Sequence, residues 1–221
     1  MGHLPRLIVF DLDGTLIDSR RDLADSANAL IVERGGTALP GDAIVRMVGE
    51  GAAVLVRRAL AAAGLASGEE SVTRFLQIYD DRLVRTTRPY PGVTGVLREL
   101  AASSTLAVLT NKPIAPTLSI LEALDLGGFF ASVVGGDGPL PRKPDPAGLR
   151  HLMSRHEAAA DDTALVGDSH VDLQTARAAG VTVCLARYGF GFELVTPDDL
   201  AGVEKVVDRP SDIPGVLAGP R

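Results

Sequence analysis

Five short apolar runs, separated by amphipathic segments, restrict this chain to a small set of folds. The runs lie at residues 7–10, 105–109, 132–134, 163–166 and 181–185. Runs of this length and apolar character are typical of buried parallel strands. Helical patterns separate most of them, at residues 114–124, 146–156 and 171–179. This alternation predicts an α/β fold with a doubly wound parallel sheet, a Rossmann-like core whose crossovers are right-handed.

Far more chain lies between the first two predicted strands than one crossover helix requires. A first helical pattern in this segment places Leu23, Ala27, Leu30 and Ile31 on one face. Further helical patterns run over residues 42–47, 52–63 and 70–85. We therefore expect a small α-helical cap subdomain at residues 18–88, inserted into a catalytic core formed by residues 1–17 and 89–221.

Composition and charge exclude several classes of function. The chain has 28 acidic and 22 basic residues, a net charge of −6, and no cluster of lysine or arginine. That balance argues against nucleic acid or an anionic membrane surface as the partner. No apolar segment has the length of a signal-peptide core or a membrane span, so we expect a cytoplasmic protein with a small partner. The oligomeric state is left open, because no heptad pattern or long apolar edge indicates an interface.

Polar residues follow the predicted strands at the points where ligands of an open parallel sheet bind. After the first strand comes Asp11-Leu12-Asp13-Gly14-Thr15, and after the second Thr110-Asn111-Lys112. Lys143 lies beyond the third strand, and Gly167-Asp168-Ser169, with Asp172 close behind, follows the fourth. The carboxyl ends of the strands therefore define the candidate site.

Three of these carboxylates predict a metal ion. Alternate residues of an extended segment face the same side, so Asp11 and Asp13 can converge on one site, and Asp168 would lie nearby. Carboxylates crowded together repel one another unless a cation lies among them. Hard oxygen ligands suit Mg²⁺ completed by water and a substrate phosphate, so Asp11, Asp13 and Asp168 are the predicted ligands.

A phosphate held at such a site can be transferred to an aspartate. Asp11 is the predicted nucleophile, which would form an aspartyl-phosphate. Asp13 would protonate the departing alkoxide and then deprotonate the hydrolytic water. Thr110 would donate a hydrogen bond to a phosphoryl oxygen, and Lys143 would offset negative charge. The chain has only three lysines, so their placement at residues 112 and 143 makes Lys143 more informative than a surface lysine.

Other residues near these motifs have predicted roles in the turn, the substrate site and the support of the metal ligands. Gly14 allows a tight turn, and Gly14, Thr15 and Asn111 are predicted to line the substrate site. Ser169 and Asp172 match the spacing of a capping box, in which the acid satisfies a helix N-terminus. Support of the metal ligands is the alternative role for Ser169 and Asp172.

In combination, these segments resemble the four motifs of the haloacid dehalogenase-like hydrolases. The matching segments are Asp11-Leu12-Asp13-Gly14-Thr15, Thr110-Asn111, Lys143-Pro144 and Gly167-Asp168-Ser169-His170-Val171-Asp172. The resemblance implies that the helical insert is a mobile cap that closes over the substrate and excludes water. It covers nearly the whole chain.

Within that superfamily the sequence resembles phosphoglycolate phosphatases. The phrases that carry this likeness are Val48-Gly49-Glu50-Gly51-Ala52, Tyr90-Pro91-Gly92-Val93, Gly135-Gly136-Asp137, Lys143-Pro144-Asp145-Pro146 and Tyr188-Gly189-Phe190-Gly191. They imply 2-phosphoglycolate as the substrate, with Arg46, Arg57 or the backbone around residues 49–51 as candidate partners of its carboxylate.

Several other functions use related residues. A dehalogenase has no leaving alkoxide for Asp13 to protonate, and a phosphonate-cleaving relative would need a cap lysine, whereas residues 18–88 contain none. A sugar-phosphate mutase resembling β-phosphoglucomutase, or a phosphatase for another small metabolite, stays an alternative. A non-enzymatic phospho-receiver is the remote alternative, because a receiver has little use for Asp13 and a cap.

Overall fold

The computed structural model describes residues 3–203 and 205–218. Within these ranges the strands are β1 (Leu7–Phe10), β2 (Ile17–Asp18), β3 (Arg88–Pro89), β4 (Thr105–Leu109), β5 (Ser132–Val134), β6 (Thr163–Gly167), β7 (Thr182–Ala186) and β8 (Val206–Val207). Six of them form one sheet in the order β5-β4-β1-β6-β7-β8. Every pairing in this sheet is parallel, which confirms the predicted α/β class.

Strand β1 lies in the middle of the sheet, where the order of connection reverses. Leu7 is in register with Thr105 of β4 on one side and with Thr163 of β6 on the other. All four β1 side chains are buried, because both faces of the sheet are covered. Such a reversal point is where open α/β sheets bind their ligands.

Helices from the core segments cover both faces of the sheet. The α-helices of the described ranges are α1 (Arg20–Glu33), α2 (Gly41–Val45), α3 (Ala52–Ala62), α4 (Glu69–Asp80), α5 (Val93–Leu100), α6 (Ile114–Ala123), α7 (Ala147–Arg155), α8 (His170–Ala179) and α9 (Ile213–Leu217). Ile8 and Phe10 of β1 belong to one buried cluster, which includes residues of α5, α6 and α9. Leu7 and Val9 belong to a second, which includes residues of α7 and α8. Alternation along β1 thus separates the two helical layers.

Helices α1 to α4 form a bundle between β2 and β3. Helix α1 packs against the other three, and Leu30, Ile31, Ile44, Leu60 and Phe75 are fully buried. Strands β2 and β3 pair antiparallel, so the chain leaves the sheet and returns to it at adjacent points. Sequence analysis missed this pair because two residues are too few to show a strand periodicity.

A buried carboxylate fixes the return of the chain from the bundle. Asp22 of α1 accepts hydrogen bonds from the backbone N–H groups and hydroxyls of Thr86 and Thr87, at 2.7 to 3.1 Å. Desolvation opposes the charge of Asp22, but these donors outweigh it and lower the pKa of its carboxyl group. The segment before β3 is therefore anchored to the first helix of the bundle.

Some predicted boundaries need correction. The pattern at residues 70–85 gives a helix that ends at Asp80, and turns follow it. The helix predicted from residue 146 begins at Ala147, whose N–H donates to the Asp145 carboxylate at 2.8 Å. Strand β8 and helix α9 were not predicted. The expected core bounds include residues 1–2, 204 and 219–221, which lie outside the described ranges.

Across the part of the chain that the structure describes, no helix combines the length and the apolar character needed to cross a membrane.

Candidate active site

The predicted site residues converge at the carboxyl ends of β1, β4 and β6. Asp11 directly follows β1, and its backbone N–H donates to the carbonyl of Val166 at 2.9 Å. Asp11, Asp168 and Asp172 each offer a carboxylate oxygen, and these three oxygens lie within 4.8 Å of one another. The topology thus brings together acids that are far apart in the sequence.

Lys143 lies among these carboxylates. Its Nζ is 2.9 Å from Oδ1 of Asp11 and 2.6 Å from Oδ1 of Asp172, and its side chain is only 2% exposed. When the three acids are ionised, one ammonium group leaves two negative charges uncompensated. A divalent cation with oxygen ligands would balance them, so the donor set fits a hard metal ion.

Burial makes this cluster unfavourable without further positive charge. Desolvation raises the pKa of Asp11 to about 6, with a further increase from the charge of Asp172, although Lys143 acts in the opposite direction. The pKa of Asp168 lies well above its usual value, first because of burial and then because of Asp172 and Asp11. Burial therefore makes the ionised form of both carboxyl groups less favourable than it is in water, and a bound cation would favour ionisation.

The raised pKa values predict how metal-free protein responds to pH. A carboxyl group whose pKa is higher in the folded than in the unfolded protein stabilises the fold at low pH. That stabilisation is lost as the pH rises from the unfolded pKa, about 4, to the folded pKa. For Asp11 that interval ends near pH 6.

We expect the melting temperature in EDTA to fall over this interval relative to that of an Asp11→Asn variant. Added Mg²⁺ should stabilise the wild type more at pH 7.5 than at pH 5, because the metal binds ionised carboxylates. Melting curves check this, and a difference between the two proteins that does not vary with pH would contradict it.

Asp13 has different partners from the other acids. Lys112 Nζ lies 2.9 Å from its Oδ2 and 3.1 Å from its Oδ1, and Ser19 Oγ donates to Oδ1 at 2.6 Å. Its carboxylate is not a member of the group formed by Asp11, Asp168 and Asp172. The sequence argument relied on strand alternation, whereas β1 ends at Phe10. The role of Asp13 as a metal ligand stays a prediction.

The turn after Asp13 brings the backbone against Asp168. Gly14 has a φ of 89°, and a Cβ at this position would collide with the Asp168 carboxylate. Thr15 Oγ1 lies 3.4 Å from Asp168 Oδ1, and the backbone N–H of Gly191 donates to Asp168 Oδ2 at 2.7 Å. Gly14 and Thr15, predicted to line the substrate site, thus contact a carboxylate of the cluster. Gly191 was not predicted as a site residue, although the segment at residues 188–191 is one of those that resemble phosphoglycolate phosphatases.

Thr110 and Asn111 lie in the wall of a pocket between the sheet and the helical bundle. Thr110 is buried, and its Oγ1 accepts a hydrogen bond from the backbone N–H of Lys112 at 3.2 Å. Asn111 Nδ2 donates to the carbonyl of Gly49 at 3.0 Å and to that of Lys143 at 2.9 Å. Asn111 therefore links the predicted cap to the segment that carries Lys143.

Asp172 takes part in both arrangements that the sequence left open. Its Oδ2 accepts from the backbone N–H of Ser169 at 3.1 Å, and Ser169 Oγ accepts from the backbone N–H of Asp172 at 3.4 Å, which together form the capping box of α8. The Ser169 hydroxyl also donates to Oδ2 at 2.6 Å. Its Oδ1 contacts Lys143. One carboxylate thus caps a helix and belongs to the charged cluster.

The pocket has a charged end and mostly apolar walls. Its volume is about 50 Å³. It is lined by Asp11, Asp13, Thr110, Asn111, Lys112, Leu23, Val48, Gly49, Gly51, Ala52, Leu55, Phe75, Leu76, Tyr79, Pro113 and Pro116. Arg46 and Arg57, the candidate partners of a substrate carboxylate, are exposed and do not line it.

Sequence reasoning assigned no role to two residues of this wall, Lys112 and Tyr79. The Lys112 ammonium lies 4.6 Å from the centre of the Tyr79 ring. Burial raises the pKa of Tyr79 to about 12, so its hydroxyl keeps its proton at neutral pH. The rarity of lysine pointed to Lys112, but nothing in the pattern of α4 distinguished Tyr79 from a core residue.

Comparison with known proteins identifies the family of this chain. Residues 8–186 match the family model described as haloacid dehalogenase-like hydrolase. The chain belongs to this hydrolase family, as its sequence motifs predicted.

The relatives define a narrower group. The chain is 42% identical over 201 residues to the phosphoglycolate phosphatase of Rhodospirillum rubrum, covering 87% of this chain and 83% of that protein. It is 36% identical over 220 residues to the plasmid phosphoglycolate phosphatase of Cupriavidus necator, covering 97% and 94%. A crystal structure described as a predicted phosphoglycolate phosphatase from Haemophilus somnus superposes with a TM-score of 0.87 and 30% identity, covering 96% of this chain and 97% of that one. The predicted likeness to phosphoglycolate phosphatases is confirmed.

Proposed function

We propose that this protein is a Mg²⁺-dependent phosphatase that hydrolyses 2-phosphoglycolate through an aspartyl-phosphate on Asp11. The observation that carries the proposal is the position of Asp11, which lies between a buried carboxylate cluster and a small pocket. The names of the relatives support the substrate. A cytoplasmic location is a further part of the proposal.

Asp11, Asp168 and Asp172 are the described residues whose carboxylates could hold the metal or support its ligands. Mg²⁺ would supply positive charge to the cluster and to the phosphoryl oxygens. Asp13 remains a predicted ligand, although its carboxylate pairs with Lys112.

Asp11 acts as the nucleophile in the proposed reaction. Lys143 contacts Oδ1 of Asp11, so we assign the in-line attack on phosphorus to Oδ2. The new bond joins Oδ2 to phosphorus while the bond from phosphorus to the ester oxygen breaks. Lys143 also carries the positive charge that offsets the charge of the transferring group. The Thr110 hydroxyl donates a hydrogen bond to a phosphoryl oxygen.

Asp13 serves as the acid and then the base. It protonates the departing alkoxide, and the resulting carboxylate removes a proton from the water that hydrolyses the aspartyl-phosphate. Ser19 and Lys112 orient its carboxyl group at the edge of the pocket. An enzyme that lacked this group would be slow in both steps.

Residues 18–88 form the cap in this proposal, and residues 1–17 and 89–221 form the core. The bundle supplies the apolar pocket walls, which would exclude water while the ester bond breaks. A volume of about 50 Å³ is far below the roughly 300–1,000 Å³ of pockets for drug-sized ligands. The pocket therefore favours a substrate as small as phosphoglycolate over a nucleotide.

Phosphate release tests the proposal. We expect the protein to prefer 2-phosphoglycolate over glucose phosphates, pyrophosphate, nucleotides and pyridoxal phosphate. We also expect EDTA to abolish turnover and Mg²⁺ to restore it, because the buried acids need a cation. The measurement is the kcat/KM of inorganic phosphate release for each ester. Preference for another ester would disprove the substrate, whereas interconversion of glucose phosphates without phosphate release would identify a mutase.

A further inference from the structure

A second buried lysine lies in the pocket wall, and the proposed chemistry gives it no direct contact with the substrate. The Lys112 side chain is 5% exposed, and its Nζ pairs with Asp13 at 2.9 Å. Burying an ammonium group is costly unless it is paired. Asp13 offsets that cost, but an ammonium group has three N–H donors, so at least one remains available after contact with the two Asp13 oxygens.

The hydroxyl of Tyr79 has no acceptor for its proton in the same place. Tyr79 is 2% exposed, and its Oη makes no hydrogen bond of good geometry among the described residues. The Lys112 ammonium beside it interacts with the hydroxyl but can only donate. A buried tyrosine hydroxyl ordinarily finds a hydrogen-bond partner. Because Tyr79 lines the pocket beside Lys112, an acceptor that enters the pocket would satisfy both side chains.

The rest of the pocket offers no other cation. Lys112 is the one positively charged residue among the described residues that line it. Lys143 is held by Asp11 and Asp172. The walls that Leu23, Val48, Leu55, Phe75 and Leu76 contribute are apolar. A negative group on the substrate, placed away from the phosphate, would therefore find its favourable partner at Lys112.

We propose that Lys112 and Tyr79 form the subsite that binds the carboxylate of the substrate. This inference rests on the proposed function and deepens it by assigning the residues that determine specificity. Lys112 is two residues from Thr110, the proposed hydrogen-bond donor to the phosphate. Phosphoglycolate has only two carbon atoms between its phosphate and carboxylate oxygens. The carboxylate therefore lies close to the phosphoryl site, in the part of the pocket where Lys112 and Tyr79 meet. Lys112 bridges this carboxylate and Asp13.

A purely structural role for Lys112 predicts a different result. If Lys112 only orients Asp13, its loss slows the hydrolysis of every phosphate ester by the same factor. If it binds the carboxylate, the loss is greatest for substrates that carry one. Comparison of 2-phosphoglycolate with ethyl phosphate, which has a methyl group in place of the carboxylate, separates the two roles.

The test measures kcat and KM for both esters in the wild type, Lys112→Met and Tyr79→Phe. We expect Lys112→Met to lower kcat/KM for phosphoglycolate about 10- to 100-fold more than for ethyl phosphate, the range for a charged hydrogen bond. Tyr79→Phe should give a selective loss of about 3- to 10-fold, mainly in KM. Lys205→Met, which removes the one lysine outside these loops, should leave both substrates unchanged.

A second measurement separates binding from chemistry. In Asp11→Asn protein, calorimetry should show that Lys112→Met and Tyr79→Phe each weaken phosphoglycolate binding more than ethyl phosphate binding. Equal losses for both ligands would overturn the subsite and leave the proposed function intact. A wild type that prefers ethyl phosphate would overturn the substrate and the subsite together. If Lys112→Met does not fold, the selectivity of Tyr79→Phe decides the question.

Discussion

Asp11→Asn protein is expected to release phosphate at least about 10⁴-fold more slowly than the wild type, a loss typical of removing a nucleophile. The amide cannot attack phosphorus to form the acyl phosphate. The fold should persist, because the substitution removes one of three crowded acids and keeps the shape of the side chain. Inorganic phosphate release, together with circular dichroism and thermal melting, measures both effects.

A matched variant shows whether the loss is specific to Asp11. Asp25→Asn makes the same change on the exposed surface of α1, where Asp25 pairs weakly with Arg21 at 3.7 Å. It should retain wild-type activity. Turnover of a clean Asp11→Asn preparation at the wild-type rate would refute the covalent mechanism and leave the family assignment intact.

Lys143→Met is expected to have the largest effect on stability. Removing one partner of a buried ion pair leaves its charge uncompensated, which costs about 3–5 kcal/mol. Here Asp11 and Asp172 would both lose their ammonium partner. We expect a loss of this size in the free energy of unfolding in EDTA, and partial recovery when Mg²⁺ is added. Activity should fall at least about 10²-fold, because an electrostatic stabiliser of the transferring group is lost.

Chemical denaturation with and without Mg²⁺ measures the stability change. Lys205→Met is the control, because Lys205 Nζ donates to the backbone carbonyl of Val216 at 2.8 Å and forms no ion pair with Asp11 or Asp172, as Lys143 does. A smaller change is expected there, with no dependence on Mg²⁺. Equal losses in the two variants would show that Lys143 is an ordinary buried lysine.

The sequence predicted the sheet and the motifs well because both depend on local patterns. The first three predicted core strands coincide with β1, β4 and β5 residue for residue, and the next two lie within one residue of β6 and β7. Their apolar runs are unbroken because both faces of a parallel sheet are covered. The polar residues that follow them could then be placed at one edge without further information.

Weaker local signals gave poorer predictions. Strands β2, β3 and β8 contain two residues each, too short for any periodicity. The pattern at residues 70–85 continued past Asp80, because helical periodicity does not show where backbone hydrogen bonds stop. The edges of elements thus depended on their tertiary surroundings.

The amino-acid sequence by itself determined which acidic, threonine and lysine side chains follow each strand. Only the tertiary structure decided how those groups pair. In the folded protein Lys112 pairs with Asp13, and Tyr79 lines the pocket. One oxygen of Asp172 accepts a hydrogen bond from Ser169, and the other contacts Lys143. The physical reason is that a buried charge takes the partner that lies within reach in three dimensions, and separations such as the 99 residues between Asp13 and Lys112 leave no local trace in the sequence.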